Sequence, residues 1–190
     1  VRRFRGDEGI IREEAQATVI DFLDSVSKIS PDSDDAFDEL EKASLSTIER
    51  YKDLTKNLQK QMVKEFDKEL IKLSNKSSIS YESIKPDFTE ETFKKIKDKT
   101  ESKAYETKSY EDGITFKKTH TYSVYVQKDH FKVLKKNITS RLDDIKNDLI
   151  GNLEDFIENI RSKYIKELAN NAQSKKNELD AIMEAKKNAE

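Results

Sequence analysis

The side chains best suited to proton transfer or metal ligation in this chain are two histidines, His120 and His130, ten residues apart in a sequence without cysteine. A zinc site draws three or four His, Cys or carboxylate ligands together, and neither histidine has His or Cys company. His120 reads as a strand side chain near Lys117 and Lys118. His130, beside Asp129, reads as part of a helix N-terminus. Adjacent carboxylates recur at Asp34-Asp35, Glu90-Glu91 and Asp143-Asp144, but 38 acidic residues supply such pairs by chance. Neighbours in sequence also do not share a helix face. No Ser-His-Asp arrangement stands out from this background. The four glycines, Gly6, Gly9, Gly113 and Gly151, open no G-x-x-x-x-G-K-[ST] phosphate loop. The sequence therefore predicts no catalytic residue, no cofactor site and no metal site.

What remains is a local concentration of lysine and tyrosine. Lys94, Lys95, Lys97, Lys99, Lys103, Lys108, Lys117 and Lys118 fall in the same stretch as Tyr105, Tyr110, Phe116, Tyr122 and Tyr125. Such a surface suits a protein partner or an anionic membrane. Lys117, Lys118, Tyr122 and Tyr125 are the candidate contact residues. Nucleic acid is not expected: the chain is slightly acidic, and its lysines elsewhere alternate with Glu and Asp instead of segregating.

The elements that must position this stretch follow from periodicity. Ile11, Ala15, Val19, Phe22, Val26 and Ile29 recur at helical spacing, which predicts a helix over 8–29. The run Ser30-Pro31-Asp32-Ser33-Asp34-Asp35 ends it, because Pro cannot continue a helix and Ser and Asp favour turns and caps. A longer helix is predicted over 35–75, with the stripe Phe37, Leu40, Ile48, Tyr51, Leu54, Leu58, Met62, Phe66, Leu70 and Leu73. Tyr51, Met62 and Leu73 are eleven residues apart, about 3.67 residues per turn, close to a straight helix. A third long helix, over 129–185, carries Leu134, Ile138, Leu142, Ile145, Leu149, Leu153, Phe156, Ile160, Tyr164 and Leu168.

Between the second and third helices, 76–128 breaks the pattern. Lys76-Ser77-Ser78 and Pro86 mark a loop, and Asp87 with Glu90 is placed to cap a short helix through Phe93 and Ile96. Ile114, Phe116, His120, Tyr122, Val124 and Val126 then alternate with mostly polar neighbours, the period-two pattern of a strand. Asp112-Gly113 is the pair that two-residue hairpin turns favour. A β-hairpin is predicted here.

Composition fits long helices better than a thick core. Of 190 residues 39% are charged and 34% hydrophobic, with a net charge of only −2 and two prolines; typical domains are roughly 25% charged. Balanced charge at low Pro and Gly content reads as solvated helix faces and not as disorder. The predicted fold is mainly α: a single elongated module over 1–190, an antiparallel bundle of long helices with the β-hairpin at one tip. Forty helical residues reach about 60 Å. Two long helices separated by an irregular segment are most simply packed antiparallel. No run approaches the ~18 apolar residues of a membrane span. Absence of cysteine suits a reducing compartment, so a cytoplasmic protein, at most peripheral to a membrane, is expected. The chain begins at Val1, which leads us to expect a piece of something longer.

The order of long helix, Ser/Lys-rich segment, hairpin and strand ending Tyr122-Ser-Val-Tyr-Val-Gln-Lys-Asp-His-Phe, then a long helix, resembles the region after the GTPase domain of bacterial dynamin-like proteins. The resemblance covers 36–185. It implies an assembly-forming, membrane-associated stalk, self-association, and a GTPase domain upstream, with no nucleotide-binding residue in this chain. Helical pore-forming toxins of the cytolysin A type also join long helices to a β-tongue, but theirs is apolar where Ile114-Thr-Phe-Lys-Lys-Thr-His-Thr is not. A coiled-coil scaffold that binds another protein is the third reading.

Overall fold

A computed structural model describes residues 2–74, 79–113 and 118–189. The chain is mainly α, four helices with a two-stranded antiparallel hairpin inserted between the last two. Helix α1 spans Arg2–Ser27, α2 Ala36–Ser74, α3 Glu90–Glu101 and α4 Gln127–Ala189; a single 3-10 turn, Ser102–Ala104, joins α3 to strand β1, Tyr105–Asp112, which pairs with β2, Lys118–Tyr125. The Lys76-Ser77-Ser78 loop and the Leu73 side chain lie outside the described residues, as do Ile114, Phe116 and Lys117.

The chain gathers into two compact units, one of residues 1–52 and 86–148, the other of 53–85 and 149–190. Helices α2 and α4 each contribute to both. In the first unit Ile11, Val19, Phe22 and Val26 of α1 are buried, as are Leu40, Ile48 and Tyr51 of α2, Phe88 and Phe93 at α3, and Phe131, Leu134, Ile138, Leu142 and Ile145 of α4. In the second, Met62, Phe66 and Leu70 of α2 are buried, as are Leu149, Leu153, Ile157 and Ile160 of α4.

The eleven-residue spacing holds, but polar residues occupy part of the buried line. On α2 it runs Leu40, Ser44, Ile48, Tyr51, Thr55, Gln59, Met62, Phe66, Leu70. Leu54 and Leu58, expected in the stripe, are half-buried beside it. Ser44 returns its hydroxyl proton to the Leu40 carbonyl at 2.6 Å, which satisfies it within the helix. On α4 the buried residue is Ile157, and Phe156 is half-buried, its ring edge-on to Tyr81 at 5.4 Å.

The direction of the long helices departs from expectation. Helix α1 is antiparallel to α2, as the Asp21–Arg50 ion pair (2.8 Å) and the turn at Ser30–Asp35 require. Within the first unit, however, the α2 and α4 segments run parallel, the Asp143 carboxylate acting on Tyr51 as His130 packs on Phe37. In the first unit Phe37, second residue of α2, meets His130 and Phe131, the fourth and fifth of α4, at 4.9 and 6.2 Å between ring centres. In the second, Phe66 meets Tyr164 at 5.8 Å. The physical reason lies in α3. In the first unit α3 runs opposite to α4, Asp87 before it beside Arg141 and Lys97 beside His130, so the antiparallel partner of α4 there is α3.

The segment 79–89 is held by side chains that complete its backbone hydrogen bonds. In the second unit Gln59, fully buried, donates from Nε2 to the Glu82 carbonyl and accepts the Ile84 N–H at Oε1, both at 3.1 Å. The carboxamide thus imitates a neighbouring strand. In the first unit Arg141 donates to the Asp87 carbonyl at 3.2 Å. Asp87 does not cap α3; Thr89 does, its hydroxyl accepting the Thr92 N–H at 3.3 Å.

Candidate contact surface: the hairpin

The hairpin forms where β-branched and aromatic residues cluster: Thr107, Thr119, Thr121, Tyr122, Val124 and Tyr125 favour the pleated surface of a ribbon. Its register pairs Tyr105 with Tyr125, Lys108 with Tyr122, Tyr110 with His120 and Asp112 with Lys118. Five residues therefore separate the last paired positions, so Asp112-Gly113 is not the centre of a two-residue turn. Gly113 does adopt a positive φ of 101°, which favours glycine there.

The base of the ribbon is clamped. Val126 N–H donates to the carbonyl of fully buried Ala104 at 2.7 Å. The Gln127 carboxamide donates to the carbonyls of Pro31 (3.2 Å) and Ser33 (2.8 Å), tying the start of α4 to the α1–α2 turn. His130 is 3% exposed and joins four elements. Its Nε2 lies 2.9 Å from the Lys97 carbonyl and 3.0 Å from Thr100 Oγ1, while Nδ1 lies 2.8 Å from the Tyr125 hydroxyl. A carbonyl only accepts, so Nε2 carries the proton and Nδ1 accepts from Tyr125. Phe37 packs on the imidazole and itself carries Lys97 Nζ 4.6 Å from its ring centre. Partial burial, with the carboxylate of Glu101 nearby, pushes the Tyr125 phenol above its ordinary range. The hydroxyl therefore stays protonated and able to donate.

Above the base the ribbon is bare. Every β1 residue is exposed, and in β2 only His120 and Val124 are half-buried. Side chains alternate between faces. One face carries Lys108, Tyr110, Lys118, His120, Tyr122 and Val124, with Glu106 and Asp112. Tyr110 stacks on His120 (5.1 Å, planes 14° apart) and lies 6.2 Å from Tyr122. The other face carries Thr107, Ser109, Thr119, Thr121 and Ser123 between the Tyr105–Tyr125 pair, whose rings are 5.7 Å apart, and Glu111.

The structure brings together only some of the expected contact residues. Lys118 and Tyr122 share the aromatic face. Tyr125 lies on the opposite face, at the base, bonded to His130. Lys117 lies outside the described residues. The expected basic character is also redistributed. The two strands hold two lysines, Lys108 and Lys118, against three carboxylates, Glu106, Glu111 and Asp112, a net of −1. Lys94, Lys95, Lys97 and Lys99 belong to α3 instead, where Lys95 pairs with Glu91 at 2.7 Å.

Two clefts of about 560 Å³ lie away from the ribbon. One, in the second unit, is lined by Tyr81, Phe156, Asn159 and Lys163 among others, and one in the first unit by Ile48, Phe88, Glu90 and Glu91 among others. Among the described residues no group of three or more His, Asp or Glu is placed to hold a metal ion. No helix is long and apolar enough to cross a membrane among those residues. No protein-family model, curated protein or solved structure matches this chain.

Proposed function

We propose that this chain is a non-catalytic interaction module in which the helices hold out the β1–β2 ribbon as the element that touches a protein partner. The observation that carries this reading is the contrast between a rigidly built base and a ribbon bare on both faces. Isolated two-stranded hairpins are marginally stable in water. Here buried His130, the Gln127 amide and the Ala104–Val126 bond hold the ribbon's foot in place. Pre-ordering a contact surface lowers the entropic cost of binding. Exposed tyrosines, which supply large contact area with few rotatable bonds, line that surface: Tyr110 is 55% and Tyr122 49% exposed.

Such a module is what the stalk of a dynamin-like GTPase would contain, and the sequence resemblance supports that wider setting. A protein partner is favoured over a lipid surface because across residues 105–125 the three lysines, Lys108, Lys117 and Lys118, are balanced by Glu106, Glu111 and Asp112. Attraction to anionic lipid is worth about 1 kcal/mol per surface lysine, and here three carboxylates offset the three lysines.

The test is excision. Ala104 and Val126 already meet at 2.7 Å, so a Gly-Gly link can replace 105–125 without opening the bundle. The excised protein should keep its helical circular dichroism and lose the proteins that co-purify with the wild type. Recovery of the same set at the same yield would refute the reading. Salt-sensitive co-sedimentation with anionic liposomes, lost on excision, would transfer the contact to lipid.

A further inference from the structure

We propose that the foot of the ribbon is a pH-sensitive latch: neutral His130 holds it closed, and a proton on Nδ1 releases it. The latch governs the contact element described above and rests on that reading for its consequence, whereas its test involves no partner. What makes it a latch is the use of both ring nitrogens. Nε2–H donates to the Lys97 carbonyl, so Nδ1 must stay bare to accept the Tyr125 hydroxyl at 2.8 Å. A second proton turns Nδ1 into a donor and sets it against a donor. Tyr125 can answer only by turning its own proton outward, and the ring would still carry a charge at a site 3% exposed. A buried charge is costly unless it is paired.

The elements packed on the ring supply no such pair. On α2, Phe37 packs on the imidazole, and Glu41, one turn further on, lines a cleft with Lys97. On α3, Lys97 brings a like charge, its ammonium 4.6 Å from the centre of the Phe37 ring. Glu101 of the same helix is exposed and accepts the Tyr105 hydroxyl at 3.4 Å. On β2 the titratable neighbour is Tyr125, whose phenol is raised by burial, so acid leaves it protonated. Asp129 precedes the histidine on α4 and is half-buried. Among the described residues none of these carboxylates forms an ion pair with the imidazole.

Release is local. Every residue of the two strands is exposed or half-buried, so freeing the foot uncovers little apolar surface and leaves the helices packed. Once the foot is free the ring is hydrated and takes its proton as a free histidine does, at about pH 6.5. The closed foot holds the neutral ring and the free foot binds one proton more. The latch is therefore held above that pH and lost as the pH falls below it. Between pH 7.5 and pH 5 proton uptake multiplies the released population by about 30-fold.

Hydrogen exchange reads the latch directly. Val126 N–H donates to the Ala104 carbonyl at 2.7 Å. Its protection factor, which removes the intrinsic pH dependence of exchange, should fall by about tenfold or more from pH 7.5 to pH 5. The amide of Leu142, a fully buried residue of α4, should keep its protection. His120→Gln removes the ribbon's other histidine and should leave the fall at Val126 intact. His130→Gln cannot take the proton and should show no fall. If that variant does not fold, two measurements still decide. Nitrogen NMR of the wild-type imidazole should find the proton on Nε2 and Nδ1 bare at pH 7.5. Tyr125→Phe, which deletes only the hydroxyl, should lower Val126 protection at the same pH. The latch is overturned by Val126 protection that is flat with pH or falls only in step with Leu142, or by loss of the fall in His120→Gln. It is equally overturned by an undiminished fall in His130→Gln, a proton on Nδ1 at pH 7.5, or wild-type protection in Tyr125→Phe. None of these outcomes bears on the excision experiment, which scores a partner.

Discussion

Replacing Gln59 with Leu removes two hydrogen bonds while keeping most of the side chain's volume. Its carboxamide is fully buried and satisfies both the Ile84 N–H and the Glu82 carbonyl at 3.1 Å. A typical hydrogen bond contributes about 1 kcal/mol net, but a buried partner left without one costs about 1–3 kcal/mol. The segment around Ile84 is only partly buried, so water can recover some of that cost, and we expect a loss of about 2–3 kcal/mol. At about 2–4 °C per kcal/mol for a chain of this size, the melting temperature should fall by about 5–10 °C. Hydrogen exchange gives the local readout: the Ile84 amide should lose protection well before the amides of α2. Unchanged exchange at Ile84, or a melting temperature within a degree of wild type, would refute the claim that Gln59 holds this segment.

Three further expectations follow from the core and the sequence. Ile145→Asp should destabilise by more than about 4 kcal/mol, since it buries an unpaired charge at a site 3% exposed. Phe156→Asp should cost clearly less in the same urea titration, because the ring is half-buried against Tyr81. Stability should fall as pH rises above about 10: burial and the Asp143 carboxylate raise the Tyr51 phenol above its ordinary value, so the folded state keeps a proton that the unfolded state releases. Tyr51→Phe should flatten that alkaline slope in urea melts from pH 9 to 11. The isolated chain should neither bind nor hydrolyse GTP, because no glycine-rich loop opens onto a helix; saturable micromolar binding by calorimetry would contradict that.

The helices were legible because burying one stripe at eleven-residue spacing leaves a strong mark on composition. Period-two alternation marked the hairpin in the same way. Helix direction leaves no such mark: the stripes of α2 and α4 read alike whether the helices are parallel or antiparallel, and the deciding residues are polar. Gln59 and Arg141 gave no signal because their partners are backbone groups 23 to 54 residues away. Phe156 and Ile157 are neighbours, and spacing alone could not choose between them. The separation of Tyr122 from Tyr125, by contrast, was readable, since an odd step along a strand changes face. His130 does lie in the first turn of α4, but its long-range bonds gave no signal because its partners, Lys97 and Thr100, lie 33 and 30 residues earlier.

The central claim is that the bare ribbon is the contact element, and site-specific photo-cross-linking tests it most directly. A benzophenone amino acid at Tyr110 or Tyr122 should yield discrete higher-mass adducts in cells, whereas the same probe at exposed Asp155 on α4 should yield few or none. Adducts from Asp155 with none from the ribbon would contradict the account.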